Sequence, residues 1–294
     1  MSQTGRKRKR LLLINPALTA AGERLPNVAG VTTMEPLGLA YVAALTPSDW
    51  DVRLWDEVTE PLAQPPDAAD LVGISTITAT APRAYELAAH YRAQGTPVVL
   101  GGPHATLMPD EAAGYADVVF CGEAEGAWRE LIADFEAGRL AARYEGGAPS
   151  LANAVMPRRD LYRQHYALTL ISASRGCRYR CEFCAIWKLD GGALRLRPVE
   201  EVWAELGSCP RNWATFFTDD NIAADRDWAV ALFRGMAERG LGRRFAVQAS
   251  LNIADDEELL HWLRRAGCFA VMTGLESVSE ASLRAMRKGV NLGI

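Results

Sequence analysis

Five short apolar runs are spaced along the first 140 positions, and none of them alternates. They are RLLLIN at 10–15, DVRLWD at 51–56, ADLVGIS at 69–75, PVVLG at 97–101 and DVVFC at 117–121. A strand with one face in water alternates apolar and polar side chains. A continuous run belongs to a strand covered on both faces, as in a parallel sheet. Helical patterns lie between the runs. Ala84, Leu87, Ala88 and Tyr91 follow the i, i+3, i+4, i+7 spacing of one helix face, and so do Trp128, Leu131, Ile132 and Phe135. Pro36 and Pro82 stand where first helical turns begin, a place that tolerates proline. Strand–helix alternation of this kind predicts a doubly wound, Rossmann-like α/β domain over residues 1–140.

The rhythm breaks at 138–166, where glycines, prolines and arginines show no period, and residues 141–166 read as a linker. Tyr144, Leu161, Tyr162 and Tyr166 make it a packed linker rather than free coil. A second alternating array occupies 167–294, with strands at 168–173, 213–217, 244–250 and 268–273. Val199, Val202, Trp203 and Leu206 form one helix face, and Ala229, Leu232, Phe233 and Met236 another. Asp255 with Glu258 reads as a capping box for a helix that Gly267 stops, and Ser279 as the cap of a last helix ending near Gly289. In strand 244–250, Phe245, Val247 and Ala249 share one face, with Gln248 and Ser250 on the other. A barrel strand does this when its outside meets helices and its inside serves a polar site.

Composition limits the partners. Thirty-two Lys and Arg against 36 Asp and Glu leave a net charge of −4. A protein built to coat nucleic acid or an anionic membrane needs a basic excess. No segment approaches the roughly 18 apolar residues of a membrane helix. The opening RKRKR followed by LLLIN reads as a solvated tail entering a buried strand, because the apolar run is too short for a signal peptide and no cleavage site follows it. The expected location is the cytoplasm, where the six cysteines serve as thiols, metal ligands or catalysts before disulfides.

The most specific feature is SRGCRYRCEFC. Cys177, Cys181 and Cys184 are spaced C-x3-C-x2-C directly after a predicted strand. Three thiolates on one loop prefer iron–sulfur or zinc. Structural zinc requires four ligands, and no fourth follows at the usual spacing: Cys209 lies 25 residues beyond Cys184, and His165 lies 12 before Cys177. On a four-iron cubane, three ligands leave one iron open to a substrate or cofactor.

CRYRCEFC resembles the signature of the radical S-adenosylmethionine superfamily, C-x3-C-x-aromatic-C, with Phe183 as the aromatic. The resemblance implies a partial βα barrel of TIM type. It implies a 4Fe-4S cluster on Cys177, Cys181 and Cys184 whose open iron chelates S-adenosylmethionine. Reductive cleavage then yields methionine and a 5′-deoxyadenosyl radical, with electrons from a flavodoxin- or ferredoxin-like donor. Phe183 is expected against the adenine. TDDNIA at 218–223 resembles the second-strand end that holds the amino group, with Asp219 the first candidate, then Asp220 and Asn221. QASLNIA at 248–254 and GLES at 274–277 resemble the third and fourth strand ends, so Gln248, Ser250 and Glu276 are expected at ribose or methionine. Arg195 and Arg197 read as a solvated pair ahead of a helix.

The first domain resembles the cobalamin-binding domain that precedes the barrel in a large group of these enzymes. GISTIT followed by LGGPHA is similar to the later parts of the cobalamin pattern, and GGPHAT…GEAE…W is common in that group. The resemblance places cobalamin near Ser75, Gly101, Gly102, His104, Gly122 and Glu123, facing the S-adenosylmethionine across the domain interface. The axial-histidine motif is absent, since residues 15–24 read NPALTAAGER, and His104 reads as a loop residue rather than a cobalt ligand. Glycines at strand ends are expected to let a large ligand reach the backbone. The implied activity is methylation of an unactivated carbon of a small molecule or lipid. The alternatives are radical cyclisation or rearrangement, or a cobalamin-binding fragment impaired in catalysis. Four strand signals, where the family's partial barrel has six βα units, predict an incomplete barrel with the edge of its fourth strand exposed.

Overall fold

The structure, a computed structural model, describes residues 8–20, 23–24, 34–60, 65–66, 69–189 and 191–292. The chain divides into two units, one holding residues 36–149 and 155–165 with the described residues before 33, the other residues 34–35, 150–154 and 166–292.

In the first unit, β1 (Arg10–Asn15), β2 (Asp51–Asp56), β3 (Leu71–Ser75), β4 (Val98–Gly101), β5 (Val118–Gly122) and β6 (Arg143–Gly147) form one parallel sheet in the order β2-β1-β3-β4-β5-β6. The longer helices are α1 (Leu37–Leu45), α2 (Ala81–Ala93) and α3 (Ala124–Glu136), with two short helices, Pro103–Leu107 and Pro109–Ala113, between β4 and β5. The unbroken LLLI of β1 follows from burial on both faces. Leu11 and Leu13 enter one core with Leu39, Trp128 and Leu131, while Leu12 and Ile14 enter a second with Leu87, Tyr91 and Leu100. Strand order reverses direction between β1 and β3, and such a switch point opens a crevice at the carboxyl ends of the strands.

The sixth strand falls inside the stretch expected to be linker. Its sequence, RYEGG, carries one large apolar side chain, Tyr144, and no apolar run. Tyr144 is buried, and its hydroxyl donates to Asp134 (3.0 Å). The glycines matter more than hydrophobicity here. A Cβ on Gly126 would strike the Gly146 carbonyl, and one on Gly146 the Glu123 carbonyl. Strand β6 therefore lies backbone against backbone on the β5–α3 corner. Gly126→Val is expected to cost the first unit about 3 kcal/mol, as overpacking a tight contact does; denaturant unfolding followed by tryptophan fluorescence measures it.

In the second unit, β7 (Leu168–Ile171), β8 (Ala214–Phe217), β9 (Phe245–Gln248) and β10 (Cys268–Met272) run parallel in the order β7-β8-β9-β10. Helices α4 (Val199–Ser208), α5 (Arg226–Glu238) and α6 (Glu257–Ala266) connect them, and α7 (Glu280–Ala285) follows β10. Consecutive strands lie side by side, as in the wall of a βα barrel. On the β7 side, Met34 bridges Leu168, and the Glu35 carboxylate accepts from the Leu170 amide (3.0 Å). Phe217, Phe233 and Phe245 centre the core, with ring centroids 5.3 to 5.7 Å apart. Phe245 and Val247 of β9 are buried, whereas Gln248 is half-buried.

Asp256 caps α6 through the Leu259 amide (3.0 Å), one residue later than Asp255, because residues 251–255 form a 3-10 turn first. Gly267 ends that helix with φ 107°. Ser279 caps α7 as expected. That helix stops at Ala285, and a separate 3-10 turn runs from Gly289 to Asn291. Strand β10 lies at the sheet edge among the described residues, with Phe269 and Met272 exposed. No helix among the described residues is long and apolar enough to cross a membrane.

Candidate cluster and cofactor site

The cysteine loop follows β7 and is fixed at several points. The Cys181 carbonyl accepts from the Cys184 amide (3.1 Å) and from the Trp187 indole (3.0 Å). The Glu182 amide donates to the Met286 carbonyl (3.0 Å), and its carboxylate pairs with Arg287 (2.9 Å). Gly176, at φ 86°, donates to Asp220 Oδ2 (3.0 Å) and turns the chain into Cys177. None of the six cysteines, all among the described residues, is in a disulfide. Burial is the main cause that pushes the Cys177 and Cys181 thiols up. Cys184 further opposes ionisation of both, and Cys181 opposes that of Cys177. The three sulfurs therefore share one electrostatic neighbourhood that a soft cation would neutralise. Among the described residues, no three His, Cys, Asp or Glu side chains gather around the position of a single metal ion. Three soft thiolate donors on one loop, with no fourth at the usual spacing, fit a cubane, which spreads its three thiolates over separate corners.

Beside the loop, Phe183 is 53% exposed. The Lys288 ammonium lies 5.7 Å from its ring centroid and 3.4 Å from Glu276 Oε1. Asn291 holds the turn before Glu276 by donating to the Gly274 and Leu275 carbonyls (2.8 and 3.1 Å). The structure gathers Lys288 and Asn291 around Phe183 and Glu276, and Trp187 around the cysteine loop, which no sequence spacing marks. Gln248 and Ser250 are half-buried at the end of β9, where Asn221 donates to Ser250 Oγ (2.8 Å).

Asp219, expected at a ligand, is completely buried. Its Oδ1 accepts from Ser174 Oγ (2.5 Å) and its Oδ2 from the Ala173 amide (3.2 Å). Arg197, expected in solvent, is also buried; it pairs with Glu205 (2.6 Å) and donates to the Ser172 carbonyl (3.0 Å). Arg195 is half-buried in a short antiparallel pair with Arg175.

In the first unit, Ser75, Gly101, Gly102, Gly122 and Glu123 are half-buried at the carboxyl ends of β3, β4 and β5. The chain itself occupies the space beside two of these glycines. A Cβ on Gly102 (φ 93°) would come within 2.8 to 3.0 Å of Thr76 and Ser75, and one on Gly122 (φ 81°) within 2.6 Å of Gly147. These two glycines allow close backbone packing at the strand ends. His104 is buried, with Nε2 2.8 Å from the Tyr85 hydroxyl and Nδ1 3.2 Å from Thr78 Oγ1. Tyr85 donates in turn to Glu111 (2.9 Å), and burial with that bond pushes its pKa well up. Both imidazole nitrogens are engaged, so His104 does not fit as a cobalt ligand. The parallel sheet and its switch point do fit a large planar cofactor held at the strand ends.

Residues 27–132 match the B12 binding domain, and residues 171–292 match the radical SAM superfamily. The chain is 30% identical to the bacteriochlorophyllide d C-12(1)-methyltransferase of Chlorobaculum tepidum over 97% of its own length and 64% of that protein's. It is 28% identical to the hopanoid C-2 methylase of Rhodopseudomonas palustris over 99% of its own length and 59% of that protein's. It thus spans less than two thirds of the length of these relatives. Among solved structures, it is similar to the radical S-adenosylmethionine methyltransferase TsrM from Kitasatospora setae with cobalamin and [4Fe-4S] cluster bound. The TM-score is 0.71 at 19% identity, covering 94% of this chain and 62% of that one, a likeness of fold.

Proposed function

We propose that the chain, which matches the B12 binding domain over residues 27–132 and the radical SAM superfamily over residues 171–292, is a cobalamin-dependent radical S-adenosylmethionine methyltransferase acting on a carbon of a small molecule or lipid. The observation that carries the reading is the three-thiol loop at the carboxyl end of β7, in a chain whose other unit is a parallel sheet matching the B12 binding domain. When bound, the cluster with S-adenosylmethionine supplies a carbon-centred radical, and cobalamin supplies the methyl group. Cys177, Cys181 and Cys184 would hold the cluster. Phe183 offers an exposed ring to the adenine. The Lys288 ammonium and the Glu276 carboxylate match the carboxylate and ammonium of a methionyl group. Gln248 and Ser250 supply hydrogen bonds to the ribose side. The names of the relatives favour a tetrapyrrole or a lipid as substrate. The chain takes electrons from a small flavodoxin- or ferredoxin-like donor in the cytoplasm.

Anaerobic reconstitution with iron, sulfide and cobalamin tests this reading. Mass spectrometry should find 5′-deoxyadenosine and S-adenosylhomocysteine. The Co(II) electron paramagnetic resonance spectrum should lack imidazole nitrogen splitting, because His104 is committed to Tyr85 and Thr78. Absence of both products in a chain loaded with cluster and cobalamin would overturn the assignment, and nitrogen splitting lost in His104→Ala would overturn the view of cobalt.

A further inference from the structure

We propose that Asp219 is the positioning residue that presets the path of the chain into Cys177, and that it does so without touching a ligand. The inference rests on the reading of the cysteine loop as a cluster site. The segment leaving β7 is fixed residue by residue by the turn that ends β8. Thr218 donates its amide to the Ile171 carbonyl (2.8 Å). Asp219 accepts from the Ala173 amide and from Ser174 Oγ (3.2 and 2.5 Å). Asp220 accepts from the Gly176 amide (3.0 Å), one residue before Cys177. On the opposite side, the Arg197 amide donates to the Ala173 carbonyl (3.0 Å).

A carboxylate that received an ammonium group would keep an oxygen toward the cleft. Asp219 has neither surface nor an uncommitted oxygen. Its burial pushes the carboxyl up to about 7, so a neutral amide is a fair replacement for it. In Asp219→Asn the side-chain amide could accept from Ala173 and donate to Ser174 Oγ, whereas alanine would orphan both partners. A buried donor left without its acceptor costs more than the bond contributed, so the segment would open. A three-iron hold needs the sulfurs near their final places, and Cys177 stands at the end of this segment.

The test compares Asp219→Ala, Asp219→Asn and Ser174→Ala in the full chain. In the cluster-free protein, amide exchange over residues 171–177 should rise about tenfold in Asp219→Ala, the factor that follows from losing a buried bond. It should rise less in Ser174→Ala and return toward wild type in Asp219→Asn, with β9 unchanged. After anaerobic reconstitution, Asp219→Ala should release iron to a chelator about tenfold faster and broaden the resonance of the reduced cluster. Asp219→Asn should restore both while keeping the spectral change on adding S-adenosylmethionine. The proposal falls if exchange in Asp219→Ala stays at the wild-type rate. It falls equally if exchange rises but iron retention does not change. If Asp219→Asn holds its cluster normally yet loses the response to S-adenosylmethionine, Asp219 is a ligand contact instead. If the wild-type chain takes up no iron, the cluster reading fails and this proposal with it, whatever the exchange rates show.

Discussion

Replacing any one of Cys177, Cys181 and Cys184 with alanine is expected to leave the reconstituted chain without a stable four-iron cluster. The loss should exceed the roughly 10- to 100-fold that follows from removing a group behind a ligand, because a ligand itself is gone. Iron and sulfide analysis and the visible absorption of the cluster read it directly. The other cysteines are poorly placed to substitute. Cys121 is buried in the first unit, with its thiol 3.8 Å from the Ala105 carbonyl, and Cys268 is held against the Ala270 carbonyl at 3.3 Å. Cys209 is buried in the second unit's core. Cys121→Ala and Cys209→Ala should therefore retain wild-type iron. Stoichiometric zinc without iron in the anaerobically purified wild type would overturn the assignment. So would full iron retention in Cys184→Ala.

The cysteine motif was legible because its three thiols share one short loop, so spacing alone brings them together. The strands of the first unit were legible for a related reason: burial on both faces writes an unbroken apolar run such as LLLI in β1. Strand β6 was not, since RYEGG owes its place to glycines that let backbones touch, and glycine–glycine packing has no periodic signature. Lys288 escaped notice because tertiary folding alone brings it to Phe183, and Trp187 because its bond to the Cys181 carbonyl six residues before is a local loop contact that no residue periodicity marks. Asp219 was placed at the right strand end, yet sequence could not say which way its carboxylate turns. A strand-end Asp-Asp-Asn offers side chains both to a cleft and to the neighbouring backbone. Here the first residue serves the Ala173–Ser174 backbone and hydroxyl, the second Gly176 and the third Ser250. Arg197 was misread although a clue was available. Glu205 lies between Val202 and Leu206 on the buried face of α4, and a carboxylate there requires a partner.

That pair should produce the largest stability loss in the second unit. Glu205 is fully buried on α4, and the Arg197 side chain is 3% exposed. Their 2.6 Å contact supplies the countercharge for a guanidinium whose Nε has no acceptor among the described residues. Glu205→Leu leaves that charge uncompensated, and removing one partner of a buried pair costs about 3–5 kcal/mol. Removing both need not. Glu205→Leu combined with Arg197→Met exchanges the pair for apolar groups of similar size, and such exchanges are often neutral or stabilising. The double variant should therefore regain most of what the single variant loses, a strong departure from additivity. Urea unfolding measures this best through amide exchange in α4 and β7, because a two-unit chain need not unfold in a single step. A single-variant loss below about 1 kcal/mol would place the pair in solvent, in disagreement with the structure. Recovery in the double variant should be incomplete in one respect. Arg197 also donates to the Ser172 carbonyl (3.0 Å), on the segment that runs through Ala173 and Ser174 toward Cys177. The double variant should thus fold stably while exchanging faster over residues 171–177 than wild type, which separates the charge balance of the core from the aim of the cysteine loop.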